Sequence, residues 1–246
     1  MTAFSGSLIL LDVEGTVSPL AFVHEVMFPF ARERVGAFLE PQPWAASTAG
    51  ALQQMAVDAG KSSFAAWCPH VASTPEAAKW VTDEVHRLMD ADAKLTGLKQ
   101  LQGLIWEAGF RSGELCATLF EDVAGELRRW HAAGLRLCIY SSGSVHAQKL
   151  FFAHTEAGDL TSLLSGYFDT TTGPKREAAS YAAIAAATET NPGEILFLSD
   201  VVEELNAARE AGMQTALAIR PGNRETSDVQ QHPVFHSLRD IITVRP

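Results

Sequence analysis

The sequence has few cysteines and few basic residues, and both shortages limit what the protein can be. Its three cysteines, Cys68, Cys116 and Cys138, are an odd number at wide spacings without a CxxC pair. A disulfide framework and a zinc site are therefore not expected, and a reduced, cytoplasmic compartment is favoured. Lys and Arg total 19 against 29 Asp and Glu, which gives a net charge of −10. Such a protein repels polyanions, so neither nucleic acid nor an anionic membrane is an expected partner.

The first residues also lack a membrane or secretion signal. The segment MTAFSGSLILLDVEG has no basic start, and its apolar run covers only Leu8–Leu11. That run is too short for a signal peptide or a membrane span. The 246 residues are 47% apolar and 20% charged. These values are typical of a soluble globular chain with one large domain, or one domain carrying an insertion.

Short apolar runs alternate with helical patterns over much of the chain. Four runs predict buried strands, at Leu8–Leu11, Leu135–Tyr140, Ile195–Leu198 and Thr215–Ile219. Three helical patterns follow them, at Ala147–Phe152, Glu177–Ala187 and Glu203–Ala211. This alternation predicts an α/β fold with a doubly wound, Rossmann-like parallel sheet.

The stretch from about residue 20 to residue 118 has hardly any strand signal. Its four helical patterns are Phe22–Leu39, Trp44–Ala59, Pro75–Met89 and Leu98–Ala108. We therefore predict an α/β core of residues 1–19 and 119–246, with a helical cap of residues 20–118 inserted after the first strand. Because the insertion begins a few residues after Asp12, a lid over the strand ends is favoured over an independent helical domain.

Polar residues stand where the predicted strands end. Asp12 follows the first strand, Ser141 and Ser142 follow the second, and Ser199 and Asp200 follow the third; Lys175 lies in a turn before a helix. In parallel neighbouring strands these side chains converge on one crevice. Each residue alone is compatible with an ordinary turn, helix cap or surface position. Together they provide a carboxylate nucleophile, a hard-oxygen Mg²⁺ site and donors for phosphate oxygens.

The order of these residues resembles the haloacid dehalogenase-like hydrolases. The first motif of that superfamily is matched by Asp12-Val13-Glu14-Gly15-Thr16, the second by Ser141 or Ser142, the third by Lys175 and the fourth by Asp200. DxxGT alone is moderately specific, whereas four motifs in this order are highly specific.

A closer resemblance, over nearly the whole chain, is to the enolase-phosphatase (acireductone synthase) family of methionine salvage. The most specific segments are DVEGTVSPLAFVHEVMFPFA, LQGLIWEAGFRSGEL, YSSGSVHAQKLFF, GPKREAASY and FLSDVVEELNAAREAGMQT. Glu14 stands where most phosphatases of the superfamily have a second Asp, as it does in this family. Val17-Ser18 and Pro174 depart from the usual Thr-Thr and His.

This resemblance implies a two-step reaction on 2,3-diketo-5-methylthiopentyl 1-phosphate, which is enolised and then dephosphorylated. It also implies one Mg²⁺ per chain, held by Asp12, Glu14 and Asp200. Ser141, Ser142 and Lys175 would bind the substrate phosphate, and Asp12, Glu14 and Lys175 would be catalytic. We expect a cytoplasmic monomer whose partner is this small phosphorylated diketone.

Three other functions are compatible with the same residues. The first is a phosphatase for another small phosphomonoester, and the second is a dehalogenase in which Asp12 attacks carbon. The third is a non-enzymatic phospho-acceptor, which the long insertion disfavours. The base for enolisation is either Glu14 or a group of the insertion, and the sequence leaves that choice open.

Overall fold

The computed structural model describes residues 2–40, 46–70, 74–223 and 231–243. Its contacts divide the chain into two compact units, one through Val23 and again from Cys116 onward, the other His24–Leu115. The boundaries predicted from the sequence lie at 19/20 and 118/119. Trp44 and Ala45, which begin one predicted helix, lie outside the described residues.

The described residues form the following elements. The strands are β1 (Thr2–Phe4), β2 (Leu8–Leu11), β3 (Arg136–Tyr140), β4 (Gly166–Phe168), β5 (Ile195–Ser199), β6 (Gln214–Ala218), β7 (Val234–Phe235) and β8 (Ile241–Thr243). The α-helices are α1 (Phe28–Leu39), α2 (Ala46–Asp58), α3 (Phe64–Trp67), α4 (Thr74–Asp90), α5 (Thr96–Ser112), α6 (Val123–Ala132), α7 (Val145–Ala153), α8 (Ala178–Ala187) and α9 (Val202–Glu210).

The α/β unit is built on a parallel sheet, as the sequence predicts. Within the described ranges, six strands pair in the order β4-β3-β2-β5-β6-β7, and β1 pairs with β8 in a separate parallel pair. Every residue of β2 and β5 is buried, which explains why both strands read as continuous apolar runs. The predicted α/β fold with a Rossmann-like parallel sheet is confirmed.

The strand order determines where the polar residues meet. β2 lies between β3 and β5, with Leu11 beside Ile139 on one side and beside Leu198 on the other. The carboxyl ends of three neighbouring strands therefore lie at one edge of the sheet. Asp12, Ser141 and Asp200 follow those ends directly, at the position where open α/β sheets bind ligands.

The helical unit has its own hydrophobic core. Trp67 and Trp80 pack edge to face with ring centroids 4.8 Å apart. α2 and α5 approach closely at Gly97, where an added Cβ would lie 2.3 Å from the backbone nitrogen of Met55. These contacts give the unit a compact interior of its own.

Pro29 does not break the helix predicted at Phe22–Leu39, although it changes how that helix starts. Residues Phe22–Met27 form a π-helical turn, and Pro29 is the second residue of α1. At that position no intrahelical N–H is needed, so a proline is tolerated. In the described part of the chain, no helix is long and apolar enough to cross a membrane.

A buried ion pair joins distant parts of the α/β unit. Arg220 donates from Nη1 to Oδ2 of Asp122 at 2.9 Å, and both side chains are buried. Ser237 Oγ and the backbone N–H of Leu238 donate to the same carboxylate. Burial alone raises the pKa of Asp122, but these donors and the charge of Arg220 outweigh it and hold the pKa below its ordinary value.

Removing this carboxylate lowers stability. We expect Asp122→Asn to reduce the free energy of unfolding by about 3 kcal/mol at neutral pH, because the buried guanidinium loses its counter-charge. Since the folded pKa lies below the unfolded one, the stabilisation is complete above about pH 4 and is lost as pH falls through the folded value. Urea denaturation of the wild-type and Asp122→Asn proteins at neutral and acidic pH measures how the difference between their free energies of unfolding shrinks in acid.

Asp90→Asn is the matched control, because Asp90 pairs with Arg32 at 2.8 Å on the exposed surface. It should cost less than about 1 kcal/mol. An Asp122→Asn loss no larger than that of Asp90→Asn, or one that does not shrink in acid, would contradict the role assigned to the buried pair.

Candidate functional site

Asp12 lies at the carboxyl end of the central strand, with its side chain buried. Its backbone N–H donates to the carbonyl of Leu198 at 2.9 Å, which extends the pairing of β2 with β5 by one residue. The chain then turns sharply, and the carbonyl of Val13 accepts hydrogen bonds from the N–H groups of Thr16, Val17 and Ser18. The strand and this tight loop hold Asp12 in a fixed place.

Gly15 is required by that loop. Its φ is +73°, a conformation in which side chains are strained. A Cβ at this position would also lie 2.3 Å from Oδ2 of Asp200. The backbone after Asp12 therefore packs directly against the Asp200 carboxylate, which brings the first and fourth sequence motifs together.

Lys175 contacts two carboxylates at once. Its Nζ lies 2.6 Å from Oδ1 of Asp12 and 2.7 Å from Oε2 of Glu204. Burial alone lowers the pKa of Lys175, but Asp12 and Glu204 outweigh that effect and raise the pKa above its ordinary value. The ammonium group is thus held charged against the carboxylate of Asp12.

Aromatic and hydroxyl groups fix the segment that carries Lys175. Tyr140 donates from its hydroxyl to the carbonyl of Gly173 at 2.9 Å, and Tyr181 donates to the carbonyl of Lys175 at 2.7 Å. Ser180 donates to the carbonyl of Pro174 at 2.8 Å. The turn before α8 therefore has three consecutive carbonyls bound by side chains, which aims the lysine at Asp12.

Glu204 belongs to the site but was missed by the sequence reasoning, whereas Ser199 lies at the strand end where the sequence places it. Ser199 Oγ lies 3.4 Å from Oδ2 of Asp12 and 3.1 Å from Oε2 of Glu204. Glu204 is on α9, four residues after Asp200. Glu204 lies in the first turn of the helix that begins just after β5, so its closeness to that strand end could have been expected from the sequence.

The site has more negative than positive charge. Asp12, Asp200 and Glu204 surround a single ammonium group, that of Lys175; these four side chains are called the acidic cluster below. Burial together with the charges of Asp12 and Glu204 raises the pKa of Asp200 to about 7. Burial and the charge of Asp12 also raise the pKa of Glu204, despite hydrogen bonds from Lys175 and Ser199.

This donor set fits a divalent cation. Buried carboxylate oxygens that repel one another are the ligands that Mg²⁺ prefers, and the cation would cancel that repulsion. Among the described residues, however, no three His, Cys, Asp or Glu side chains are gathered as a complete metal site. Asp12 and Asp200 could hold Mg²⁺, and backbone, water or substrate oxygens would complete the shell. Glu14, the third predicted ligand, is half-buried in the loop that follows Asp12.

The two predicted serines differ in exposure. Ser141 is buried and its backbone N–H donates to the carbonyl of Phe168 at 3.2 Å, whereas Ser142 is exposed. Gln148 supports their loop by donating to the carbonyls of Gly143 and Phe168, at 2.7 and 2.8 Å. The loop that follows β3 is thus held in place by the Gln148 side chain, and the Ser142 side chain is accessible to a ligand.

A sequence model described as haloacid dehalogenase-like hydrolase matches residues 7–212. The chain belongs to that family, whose phosphatases generally use Mg²⁺. It is 47% identical over 238 residues to Enolase-phosphatase E1 of Synechococcus elongatus, with 95% of this chain and 96% of that protein covered. Enolase-phosphatase E1 of Gluconacetobacter diazotrophicus is 44% identical over 243 residues, which cover 98% and 96% of the two chains.

A solved structure has the same fold. The crystal structure of the UTR4 protein from Saccharomyces cerevisiae matches with a TM-score of 0.78 and 34% identity, over 95% of this chain and 98% of that one. The similarity includes both the α/β unit and the helical unit, because nearly all of each chain is covered.

Proposed function

We propose that this protein is an Mg²⁺-dependent enolase-phosphatase. It converts 2,3-diketo-5-methylthiopentyl 1-phosphate to 1,2-dihydroxy-3-keto-5-methylthiopentene and phosphate, in methionine salvage. The observation that carries the proposal is the Asp12 carboxylate, buried at the end of the central strand and fixed by Lys175 at 2.6 Å. The relatives named Enolase-phosphatase E1 support the choice of substrate.

In the phosphatase step, Asp12 is the nucleophile. Lys175 donates to Oδ1 of Asp12, and its positive charge keeps the carboxylate ionised for attack on phosphorus. The bond between phosphorus and the enol oxygen breaks as that oxygen takes a proton from Glu14, which leaves an aspartyl-phosphate, releases the enol product and restores the Glu14 carboxylate. Water then attacks that phosphorus, with Glu14 as the general base, and phosphate leaves while the Asp12 carboxylate is restored.

Ser141, Ser142 and Lys175 are the proposed ligands of the substrate phosphate. Ser142 is the exposed hydroxyl of its loop, and Lys175 is a charged donor beside the nucleophile. One Mg²⁺ per chain, held by Asp12, Asp200 and Glu14 through its side chain or backbone, supplies positive charge for the phosphate oxygens. The excess of carboxylates in the acidic cluster supports this assignment.

The enolase step requires removal of a proton from the carbon that bears the phosphate ester. We propose Glu14 as the base, since it lies two residues from the nucleophile on the tight loop. The electrons of the broken C–H bond form the enolate, whose oxygen needs a nearby positive charge, and Lys175 is a candidate for that role.

The proposal includes the setting of the reaction. The enzyme acts as a cytoplasmic monomer on a small substrate, and the helical unit is its cap domain. The net charge of −10 and the unpaired cysteines support this setting, since the three cysteines form no disulfide in the described structure.

A substrate panel tests the proposed function. We expect kcat/KM for the diketone phosphate to exceed that for simple phosphomonoesters by at least about 100-fold, because binding of the methylthio chain contributes in the transition state. Phosphate release is measured with equal enzyme and Mg²⁺ for every compound. Equal or better turnover of another small phosphomonoester would assign the protein to that substrate instead.

A further inference from the structure

Two neighbouring carbonyls of the loop after Asp12 are bound by side chains of one distant turn. Asn223 donates from Nδ2 to the carbonyl of Gly15 at 2.9 Å, and Arg220 donates from Nε to the carbonyl of Thr16 at 3.0 Å. The residues of this turn, Arg220–Asn223, follow β6 and are called the clamp turn below. β5 separates β6 from β2 in the sheet, so the clamp turn reaches across one strand to the nucleophile loop.

The clamp turn is itself held rigidly. Besides its ion pair with Asp122, Arg220 donates to the carbonyl of His236 at 2.9 Å. Its guanidinium carbon lies 4.8 Å from the ring centroid of Phe120 and 5.6 Å from that of Phe235. A planar guanidinium fixed by two rings and by several acceptors has little freedom to move.

The amide of Asn223 has a defined orientation. Its Nδ2 lies near two carbonyl oxygens, those of Gly15 at 2.9 Å and Ala218 at 3.3 Å. A carbonyl can only accept, so the nitrogen and not the oxygen of the amide must face them. The contact with Gly15 is therefore a donated hydrogen bond, and an isosteric aspartate could not make it.

The backbone carbonyl bound by Asn223 belongs to Gly15, which lies between Glu14 and the Asp200 carboxylate. Glycine has the widest backbone freedom, and Gly15 is held at φ +73° with the Asp200 carboxylate packed against it. Glu14 precedes Gly15 directly, and Asp12 is two residues further back. A shift of the Gly15 backbone would displace its neighbour Glu14 and change the contact with Asp200.

We propose that the clamp turn is a positioning element that holds the Gly15–Thr16 backbone so that Asp12, Glu14 and Asp200 are presented together to Mg²⁺. This inference rests on the proposed function for the identity of the metal. Asn223 touches neither metal nor substrate; it acts through the carbonyl of Gly15. Arg220 anchors the turn, so Asn223 is the residue whose removal loosens the loop with least damage to the core.

The test is Mg²⁺ binding to Asn223→Asp and Asn223→Ala, measured by titration calorimetry without substrate. Loss of a hydrogen bond to a ligand-bearing segment typically weakens metal affinity 10- to 100-fold, so we expect a rise of at least about tenfold in the dissociation constant. At saturating Mg²⁺, kcat should return to within a few-fold of the wild-type value. A lasting loss of kcat with unchanged Mg²⁺ affinity would overturn the proposal.

Asn191→Asp is the matched control, because Asn191 uses its Oδ1 to accept from the N–H of Gly193 and aspartate retains that acceptor. Like Asn223→Asp, it adds one negative charge, but near the amino end of β5, at the opposite end of the strand from the acidic cluster. It should therefore leave Mg²⁺ affinity unchanged. Urea denaturation checks that the Asn223 variants are folded. If the Asn223→Asp protein is not folded, the Asn223→Ala protein, which adds no charge, is used for the Mg²⁺ titration.

The outcomes separate this inference from the proposed function. Wild-type affinity in both Asn223 variants, or no Mg²⁺ binding by the wild-type protein, overturns the clamp. Weaker Mg²⁺ binding in the variants supports the clamp even if the wild-type enzyme fails to turn over the diketone phosphate, in which case only the proposed function falls.

Discussion

Asp12→Asn is expected to abolish phosphate release. The substitution keeps the shape of the side chain but replaces the attacking oxygen with a poor nucleophile, and its Oδ1 can no longer form the ion pair with Lys175. Removal of a catalytic nucleophile lowers kcat by about 10⁴-fold or more. Single-turnover assays of phosphate release measure the loss, with mass spectrometry to exclude deamidation of the introduced asparagine.

Asp83→Asn is the control for Asp12→Asn. Asp83 is exposed on α4 and pairs with Lys79 at 2.7 Å, so its replacement should leave phosphate release unchanged. Ser142→Ala should retain residual activity, because one phosphate ligand is lost and the nucleophile remains. Normal turnover by the Asp12→Asn protein would contradict the assignment of the nucleophile.

Lys175→Met is expected to have the largest effect on stability. The substitution leaves Asp12 and Glu204 as buried carboxylates without their shared partner, 2.6 and 2.7 Å from the missing ammonium. Breaking a buried pair in this way costs about 3–5 kcal/mol, because an uncompensated charge remains. Urea denaturation of the metal-free protein at neutral pH measures the loss.

A double variant distinguishes this cause from simple loss of packing. Lys175→Met/Glu204→Gln removes one of the stranded carboxylates and should recover part of the stability, although activity stays low. Lys79→Met removes an exposed lysine from an ion pair and should cost less than about 1 kcal/mol. A Lys175→Met protein as stable as the wild type would contradict the electrostatic account of the acidic cluster.

The sequence was sufficient to predict the parallel sheet and the polar residues that follow its central strands. β2, β3, β5 and β6 are predictable because each is largely apolar and buried, except for the exposed first residues of β3 and β6. Asp12 is predictable because it is the polar residue at which such a run stops, and Asp200 because it lies directly after the strand that ends at Ser199. The shorter strands β1, β4, β7 and β8 were not predicted, since two or three residues carry no periodicity.

The sequence alone could not identify Glu204 as the acidic residue of α9 that belongs to the site. It stands beside Glu203 in the first turn of α9, where acidic residues are common because they favour the helix dipole. Only the fold distinguishes them, since Glu203 is exposed and Glu204 is buried against Lys175. Its elevated pKa results from that burial, which no local pattern encodes.

The clamp turn was missed for a different reason. Arg220 and Asp122 are 98 residues apart, and Asn223 is 208 residues from Gly15. Arg-Pro-Gly-Asn is typical of an ordinary turn, and nothing in those four residues indicates which loop they contact. Long-range contacts of this kind depend on the strand order, which places β6 one strand away from β2.

The most direct test of the proposed function is NMR of the diketone phosphate with the wild-type enzyme, with and without Mg²⁺. With Mg²⁺ we expect the proton on the phosphate-bearing carbon to be lost first, then inorganic phosphate and the dihydroxy enone to appear in equal amounts. With EDTA, phosphate release should stop. Phosphate release that continues undiminished in EDTA, or that leaves the carbon skeleton un-enolised, would contradict an Mg²⁺-dependent enolase-phosphatase built around Asp12.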